Sequence, residues 1–405
     1  MVGQVLLFCA VAGLIASTIF LLLVIIAAHR FRSRQREAPA RGEHKLPPVS
    51  VLKPLHGEEP QLEENLESFF RQDYPTFELI FGARNGNDAA LRTVNSLRKK
   101  YPQIRTDIVL SGEPAYPNAK VFALEKMLAR ASYPTLVMTD SDVRARADCL
   151  EQVVRPLADG NVGLVTCIYR GIPTSGLWSR LEALGMSVEM SSGVLVADLL
   201  EGMKFALGPT MATRKDVVDG LGGFGVLGNY CADDFVLGQL THNAGKTVVL
   251  SRHVIDHVVL NRSARESFLH QVRWMKSSRF SRPLGHAGTG LTFAMPFGLL
   301  GMAAGWMLGD WTLALELMSL AILNRIVQAL VVGWGVVRDR RSLWFSWLYP
   351  ARDLLGFVLW CASFLGAGIV WRGERYRLTA GGRMVRESSR PGSPAEREEP
   401  VAPRA

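Results

Sequence analysis

The sequence predicts an α/β domain with a largely parallel sheet, bracketed by N-terminal and C-terminal transmembrane helices. Three observations carry that fold class. Between residues 49 and 260 short apolar runs alternate with helical stretches of ten or more residues, and strands joined by such helices build parallel sheets. Residues 5–28 are uncharged and long enough to cross a bilayer. Beyond residue 283 the composition turns apolar again, in three runs at 291–308, 311–337 and 353–371.

Size and charge agree with this layout. A chain of 405 residues has room for two or three domains. Hydrophobic residues make up 48% and charged ones 20%, which suits a soluble core joined to membrane sequence. The net charge of +9 gathers as arginines at the edges of the most apolar stretches. Such clusters flank membrane segments, and no basic stripe with interleaved aromatics points to a nucleic-acid partner. The five cysteines form no CxxC pair and have no histidines at ligand spacing, so they read as free thiols in a reducing compartment.

Taken in order, the N-terminal run lacks the basic leader of a cleaved signal peptide and exceeds the usual length of its apolar core, which makes it a signal-anchor. Arg30, Arg32, Arg34 and Arg36 follow it and place residues 1–36 with the N-terminus outside and the next domain in the cytoplasm. A polar, Pro-bearing linker is expected at 37–48. Residues 49–262 form the α/β domain, with strands expected at 49–55, 77–83, 107–110 and 135–139. Helices are expected at 60–72, 89–100 and 118–130. Residues 263–283 read as an amphipathic helix at the membrane surface, and 284–372 as three membrane segments. The middle segment carries Asn324 and Arg325 near its centre, costly unless they face protein or water. Three crossings would export the tail, yet "RDRR" (338–341) and "WRGERYR" (371–377) are both basic and prefer the inside. Residues 373–405 are a basic and then disordered tail, its composition from about 385 rich in Ser, Pro, Glu and Arg.

Four stretches carry chemistry, each with a plainer reading beside it. In "ARNGNDAA" (83–90) Asp88 follows a strand, either to cap the next helix or to meet a nucleotide base. In "VMTDSDVRA" (137–145) Asp140 and Asp142 stand at a strand's carboxyl end, where open α/β sheets bind ligands. They make a turn, or they hold Mg²⁺ or Mn²⁺, which take hard oxygen ligands and phosphate. In "GNYCADDFVLGQL" (228–240) Asp233 and Asp234 open a helix after a Gly-rich loop. One is suited to deprotonating a hydroxyl and the other to capping. In "SFLHQVRWMKSSRF" (267–280) Arg273, Trp274 and Lys276 sit just before the membrane, as headgroup anchors or as a cation and aromatic wall for a diphosphate and a lipid.

In this order the four stretches resemble the processive-type family 2 and family 21 glycosyltransferases, and the ceramide glucosyltransferase family in particular. Carrying the resemblance are "SVLKPLHGEEPQLEENLESFFRQDYP" (50–75), "NAK" (118–120), "TDSDVR" (139–144), "ADDFVLG" (232–238), "HQVRW" (270–274) and "WRGERYRL" (371–378). The chain looks most similar to a bacterial branch that adds N-acetylglucosamine to a hopanoid polyol, bacteriohopanetetrol. The resemblance implies a GT-A catalytic domain with a Rossmann-like mixed sheet, and inverting transfer from a UDP-sugar to a membrane lipid. It implies Asp88 at the base, Asp140 at the diphosphate and cation with Asp142 completing DxD, and Asp234 as general base. Arg273 and Trp274 end the (Gln/Arg)xxRW motif, with His270 where the pattern has Gln or Arg, and Lys120 faces the diphosphate. It also implies a multi-pass protein of the inner (cytoplasmic) membrane. A processive polysaccharide synthase and a non-catalytic receptor for sugar nucleotide or lipid are the alternatives. The lipid pocket is expected at 171–212 and among the membrane helices.

Overall fold

The computed structural model describes residues 1–36, 46–260, 263–371 and 373–387. Most of the expected linker and the tail from residue 388 lie outside these residues.

Eight strands form one sheet: β1 (Val49–Pro54), β2 (Phe77–Ala83), β3 (Arg105–Leu110), β4 (Thr135–Thr139), β5 (Val143–Arg144), β6 (Val162–Pro173), β7 (Thr210–Arg214) and β8 (Thr247–Val259). Their order is β3-β2-β1-β4-β7-β6-β8-β5. β1 and β4 are buried along their whole length and mostly apolar, with Ser50 and Lys53 the polar exceptions in β1, as befits central strands covered on both faces. β1 to β4 are mutually parallel, as the alternation predicts. The second half departs from that expectation, because β7 runs antiparallel to both β4 and β6. The chain between β6 and β7 leaves the sheet through one long apolar helical stretch and re-enters at the same end it left, which reverses the strand direction. After β1 the chain winds outward to β3 and then returns to β4 on the other side of β1. The carboxyl ends of β1 and β4 therefore flank a topological switch point.

Among the described residues three helices are long and apolar enough to cross a membrane: Val2–Gln35, Gly176–Glu201 and Trp311–Trp334. Gly176–Glu201, absent from the sequence expectation as a span, is mostly buried in the protein and packs on β6. Met295–Leu308 is a shorter apolar helix that turns back at Gly309, φ +74°, into Trp311–Trp334. The pair closes tightly through small residues, with Gly298, Gly301 and Gly305 against Ala321, Leu317 and Ala314. Arg325, only 2% exposed, is held by Asp353 at 3.0 Å and by Asn324, so its charge faces protein.

The third C-terminal span is a correction. A helix covers only Tyr349–Ser363, and Gly366 (φ +70°) then turns the chain into β9 (Gly368–Trp371). With β10 (Glu374–Thr379) and β11 (Arg383–Arg386), β9 forms a three-stranded antiparallel sheet. Early in this helix Arg352 and Asp353 are buried in ion pairs with Glu189 and Arg325, so it is packed into protein. The small sheet docks on the α/β domain, where Cys231 N–H donates to the Gly382 carbonyl at 3.1 Å.

Candidate active site

Just past β4, Asp140 and Asp142 each have their own cation. Asp140 Oδ1 lies 2.5 Å from Lys120 Nζ, and the Asp140 carbonyl accepts from Lys53 Nζ at 2.5 Å. Asp142 Oδ2 lies 3.0 Å from His257 Nε2, delivered by β8 through the pairing of Val143 with His257. These partners answer the repulsion of two carboxylates one residue apart. Burial works against the Lys120 charge, but Asp140, Asp233 and Asp234 lift its pKa well above the lysine range. Burial likewise opposes ionisation of both His257 and Asp142, and their mutual attraction overrides it, raising the imidazole and lowering the carboxyl. Lys53, 1% exposed, is brought down to about 7 by burial, with Asp142, Asp140 and Glu59 resisting the fall. Glu59 rises to about 7 through burial and the nearby Asp142.

Asp142 Oδ1 is buried and has no hydrogen-bond partner among the described residues. Two hard carboxylates with an orphaned oxygen suit Mg²⁺ or Mn²⁺. No group of three or more metal-binding side chains occurs among the described residues. The protein thus offers a partial ligand set, of the kind that phosphate oxygens and water complete.

Asp234 is held differently. In the first turn of the Asp233–Asn243 helix, its Oδ2 accepts from Gly208 N–H at 2.6 Å and its Oδ1 from Phe235 N–H at 2.8 Å. A Cβ at position 208 would lie 2.9 Å from Asp234 Oδ2, so glycine is what permits this approach. Burial and then Asp233 push Asp234 up to about 6. Asp233 is not the expected side-chain cap: its Oδ1 accepts from Asn118 Nδ2 at 3.1 Å, and the helix has no side-chain cap at Ala232. Asn118 in turn caps the Ala119–Leu128 helix that carries Lys120, so one buried pair sets the two helix starts against each other.

The helix Ala264–Ser281 opens with a capping box between Ser263 and Glu266. His270 Nδ1 lies 2.8 Å from Glu182 Oε1, and Ser267 Oγ donates to Glu182 Oε2 at 2.5 Å. The Trp274 ring lies 4.5 Å from that of His270 and 6.4 Å from that of His257, so the RW helix reaches the partner of Asp142. Arg273 stacks over Trp371 of β9 at 5.6 Å. Trp371 and Tyr376 roof a cleft whose floor is Leu55, Gly82, Ser111 and Lys120, at the ends of β1 to β3.

Asp88 stands apart from this constellation. Its oxygens accept from Ala90 N–H at 3.0 Å and from Gly57 N–H at 3.0 and 3.2 Å, which caps one helix and ties down the loop after β1. It does not line the cleft. Sequence reasoning missed Lys53, Glu59, His257 and Trp371. A lysine inside the otherwise apolar β1 was a legible signal for Lys53. The others depend on strand register, or on loops that only the fold brings near.

The model of glycosyl transferase family 21 matches residues 5–384. Ceramide glucosyltransferase 1 from Caenorhabditis elegans is 28% identical over 387 residues, covering 93% of this chain and 81% of that protein. Ceramide glucosyltransferase 3 from the same organism is 25% identical over 377 residues, covering 90% and 80%. The solved mannosyltransferase PcManGT from Pyrobaculum calidifontis, in complex with GDP-Man and Mn²⁺, aligns at a TM-score of 0.47 and 18% identity, over 86% of this chain and 99% of that one. The family match takes in the N-terminal membrane helix, the mixed α/β sheet, both Asp pairs, the RW helix and the closing three-stranded sheet, and the chain is a glycosyltransferase that belongs to glycosyl transferase family 21.

Proposed function

We propose that this chain transfers one sugar from a UDP-sugar to a hydroxyl of a membrane lipid, with inversion at the anomeric carbon. The observation that carries the proposal is the contrast between its carboxylates. Asp140 and Asp142 are each paired, with Lys120 and His257, and burial raises Asp140 despite its lysine, whereas Asp234 makes no ion pair among the described residues and is pushed up to about 6. Such a carboxylate is ionised near neutral pH yet basic enough to accept a proton.

Asp234 takes the proton of the acceptor hydroxyl as its oxygen bonds to the anomeric carbon. The bond from that carbon to the diphosphate breaks on the opposite face, and its electron pair leaves with UDP. Lys120, fixed by Asp140, and Arg273, stacked on Trp371, supply positive charge to the departing diphosphate. Asp140 and Asp142 would hold Mg²⁺ or Mn²⁺, which when bound adds charge compensation at the diphosphate. Trp274 forms an apolar wall, and His270 positions it through Glu182. Asp88 acts through the loop it fixes at Gly57, beside the expected site of the base. Residues 49–262 carry the chemistry, 263–283 the lipid interface, and the flanking helices anchor the protein in the cytoplasmic membrane with this domain in the cytoplasm.

For the finer specificity we propose N-acetylglucosamine and a hopanoid polyol, on the strength of the motif resemblance. Support on the acceptor side comes from a buried polar chain running Glu182, Ser267, Gln271, Arg352, Glu189 between the RW helix and its neighbours, which suits a lipid with several hydroxyls. Glucose transfer to ceramide is the second reading, supported by the names of the curated relatives. Purified protein is offered UDP-GlcNAc or UDP-glucose with bacteriohopanetetrol or ceramide, and the lipids are analysed by mass spectrometry. One added acetylhexosamine on the polyol is expected, and one hexose on ceramide would install the second reading. Products with several sugars, or no transfer from any pair, would overturn single transfer to lipid.

A further inference from the structure

We infer that the membrane-proximal face of β8 carries a second ligand site, for the phosphate of an anionic phospholipid headgroup. It is a polar pocket distinct from the sugar-nucleotide cleft, lined by Gln35, Arg146, Arg170, Arg252, His253 and Arg338. Its origin is a bulge. β6 and β8 pair Thr166 with Leu250 and then Ile168 with Val254, so Ser251, Arg252 and His253 stand opposite Cys167 alone. A bulge of this kind re-aims side chains, and it is a built feature of a sheet.

The pocket's charge is unbalanced. Asp148 pairs with Arg146 and Asp256 with Arg170, while the guanidinium groups of Arg252 and Arg338 have no ion-pair partner among the described residues. Arg338 is one of two non-glycine residues here with positive φ, +56°, and its carbonyl accepts from Arg170 at 3.2 Å. Backbone held in that region gathers at functional sites. His253 adds an orphaned donor. Arg146 donates to its Nδ1 at 3.2 Å, and burial followed by the Arg146 charge lowers the ring to about 4. The neutral ring therefore carries its proton on Nε2, which is buried without a partner. Two cations unpaired among the described residues, with an unused N–H, are what a phosphate oxyanion takes up.

Position selects the lipid over a soluble phosphate. Gln35 closes one membrane-length helix, and Arg338 stands four residues beyond the end of another. Gln35 also donates to the Arg252 carbonyl at 2.7 Å, which locks the membrane helix to the bulge. The pocket thus opens at the level of the headgroups, where basic pockets between helix ends hold anionic lipids.

Native mass spectrometry of the full-length protein in micelles doped with phosphatidylglycerol or phosphatidylcholine tests the site, whatever the sugar specificity turns out to be. The wild type is expected to retain phosphatidylglycerol and shed phosphatidylcholine. R252A/R338A is expected to hold phosphatidylglycerol roughly thirtyfold more weakly, and R252K/R338K to recover most of that loss. R338A alone, at an exposed position that folding tolerates, should lose about fivefold. Equal retention by the wild type and R338A would overturn the site. Displacement of the lipid by inorganic phosphate at equal concentration would reassign it to a soluble anion and overturn the lipid reading.

Discussion

Asp234 sits where stability and catalysis oppose each other. Its carboxyl is raised from an unfolded value near 3.8 to about 6, by burial and by Asp233. The folded state therefore binds this proton more tightly than the unfolded chain, a contribution present below pH 4 and lost as pH rises through 6. At pH 8 the ionised group costs on the order of 3 kcal/mol. D234N should accordingly melt no lower than the wild type at pH 8, even though its amide nitrogen cannot accept and one of the two backbone hydrogen bonds is lost. Its kcat should fall by about 10²- to 10⁴-fold with sugar-nucleotide binding retained, and calorimetry beside turnover assays checks both halves. The same value fixes a pH profile. Because the base must be ionised, wild-type kcat/KM should fall about tenfold per unit below an apparent pKa of about 6. A profile flat down to pH 5 would remove Asp234 from the role. His270 yields a gentler test. It meets Glu182 through Nδ1, a contact that a glutamine amide also makes, so H270Q should keep activity within about threefold while H270A loses tenfold or more.

At the scale of elements, much of the architecture was readable in the chain, and the misses have physical causes. β2 and β4 begin and end where the sequence places them, since strands buried on both faces are predominantly apolar, with Glu78 of β2 accommodated by hydrogen bonds from Ser50 and Ser132. The DxD pair was legible because a strand end precedes it, and the RW helix because basic residues stud an amphipathic stretch just before the apolar C-terminal runs. β7 was not legible as antiparallel, because direction is set by where a connection re-enters the sheet and not by local pattern. β9 was mistaken for membrane, since the apolar helix Tyr349–Ser363 runs into "GIVW" with only a glycine turn between. That small sheet has a consequence for catalysis. Trp371 both roofs the cleft and stacks on Arg273, so W371A should raise KM for the sugar nucleotide about tenfold and leave the fold intact. An unchanged KM would detach the closing sheet from donor binding.

The whole molecule resolves a conflict that the charge pattern alone leaves standing. Three C-terminal crossings would separate "RDRR" (338–341) from the basic residues of 371–377, against the positive-inside rule. The helix pair Met295–Leu308 and Trp311–Trp334 is instead a single hairpin. Its tip lies level with the start of the N-terminal helix, where a Cβ on Gly3 would meet Leu308 at 3.2 Å, and Gly13 packs on Phe297 farther down. Met1 and the Gly309 turn thus lie at one end of the N-terminal helix, Met295 packs beside Leu14 near the middle of its apolar run, and the chain to Trp334 continues toward the other end. The Tyr349–Ser363 helix stays with the α/β domain, and β11 is tied to it where Met384 N–H donates to the Asn229 carbonyl at 2.7 Å. Both basic stretches then lie with the α/β domain, which is the arrangement that the proposed cytoplasmic orientation requires. A green fluorescent protein fused after Glu387 should therefore fluoresce in bacterial cells, and alkaline phosphatase at the same point should be inactive. Phosphatase inserted at the Gly309 turn should be active. Active phosphatase after Glu387 would mean that the chain crosses a third time after the hairpin, and that β9 to β11 do not dock on the catalytic domain.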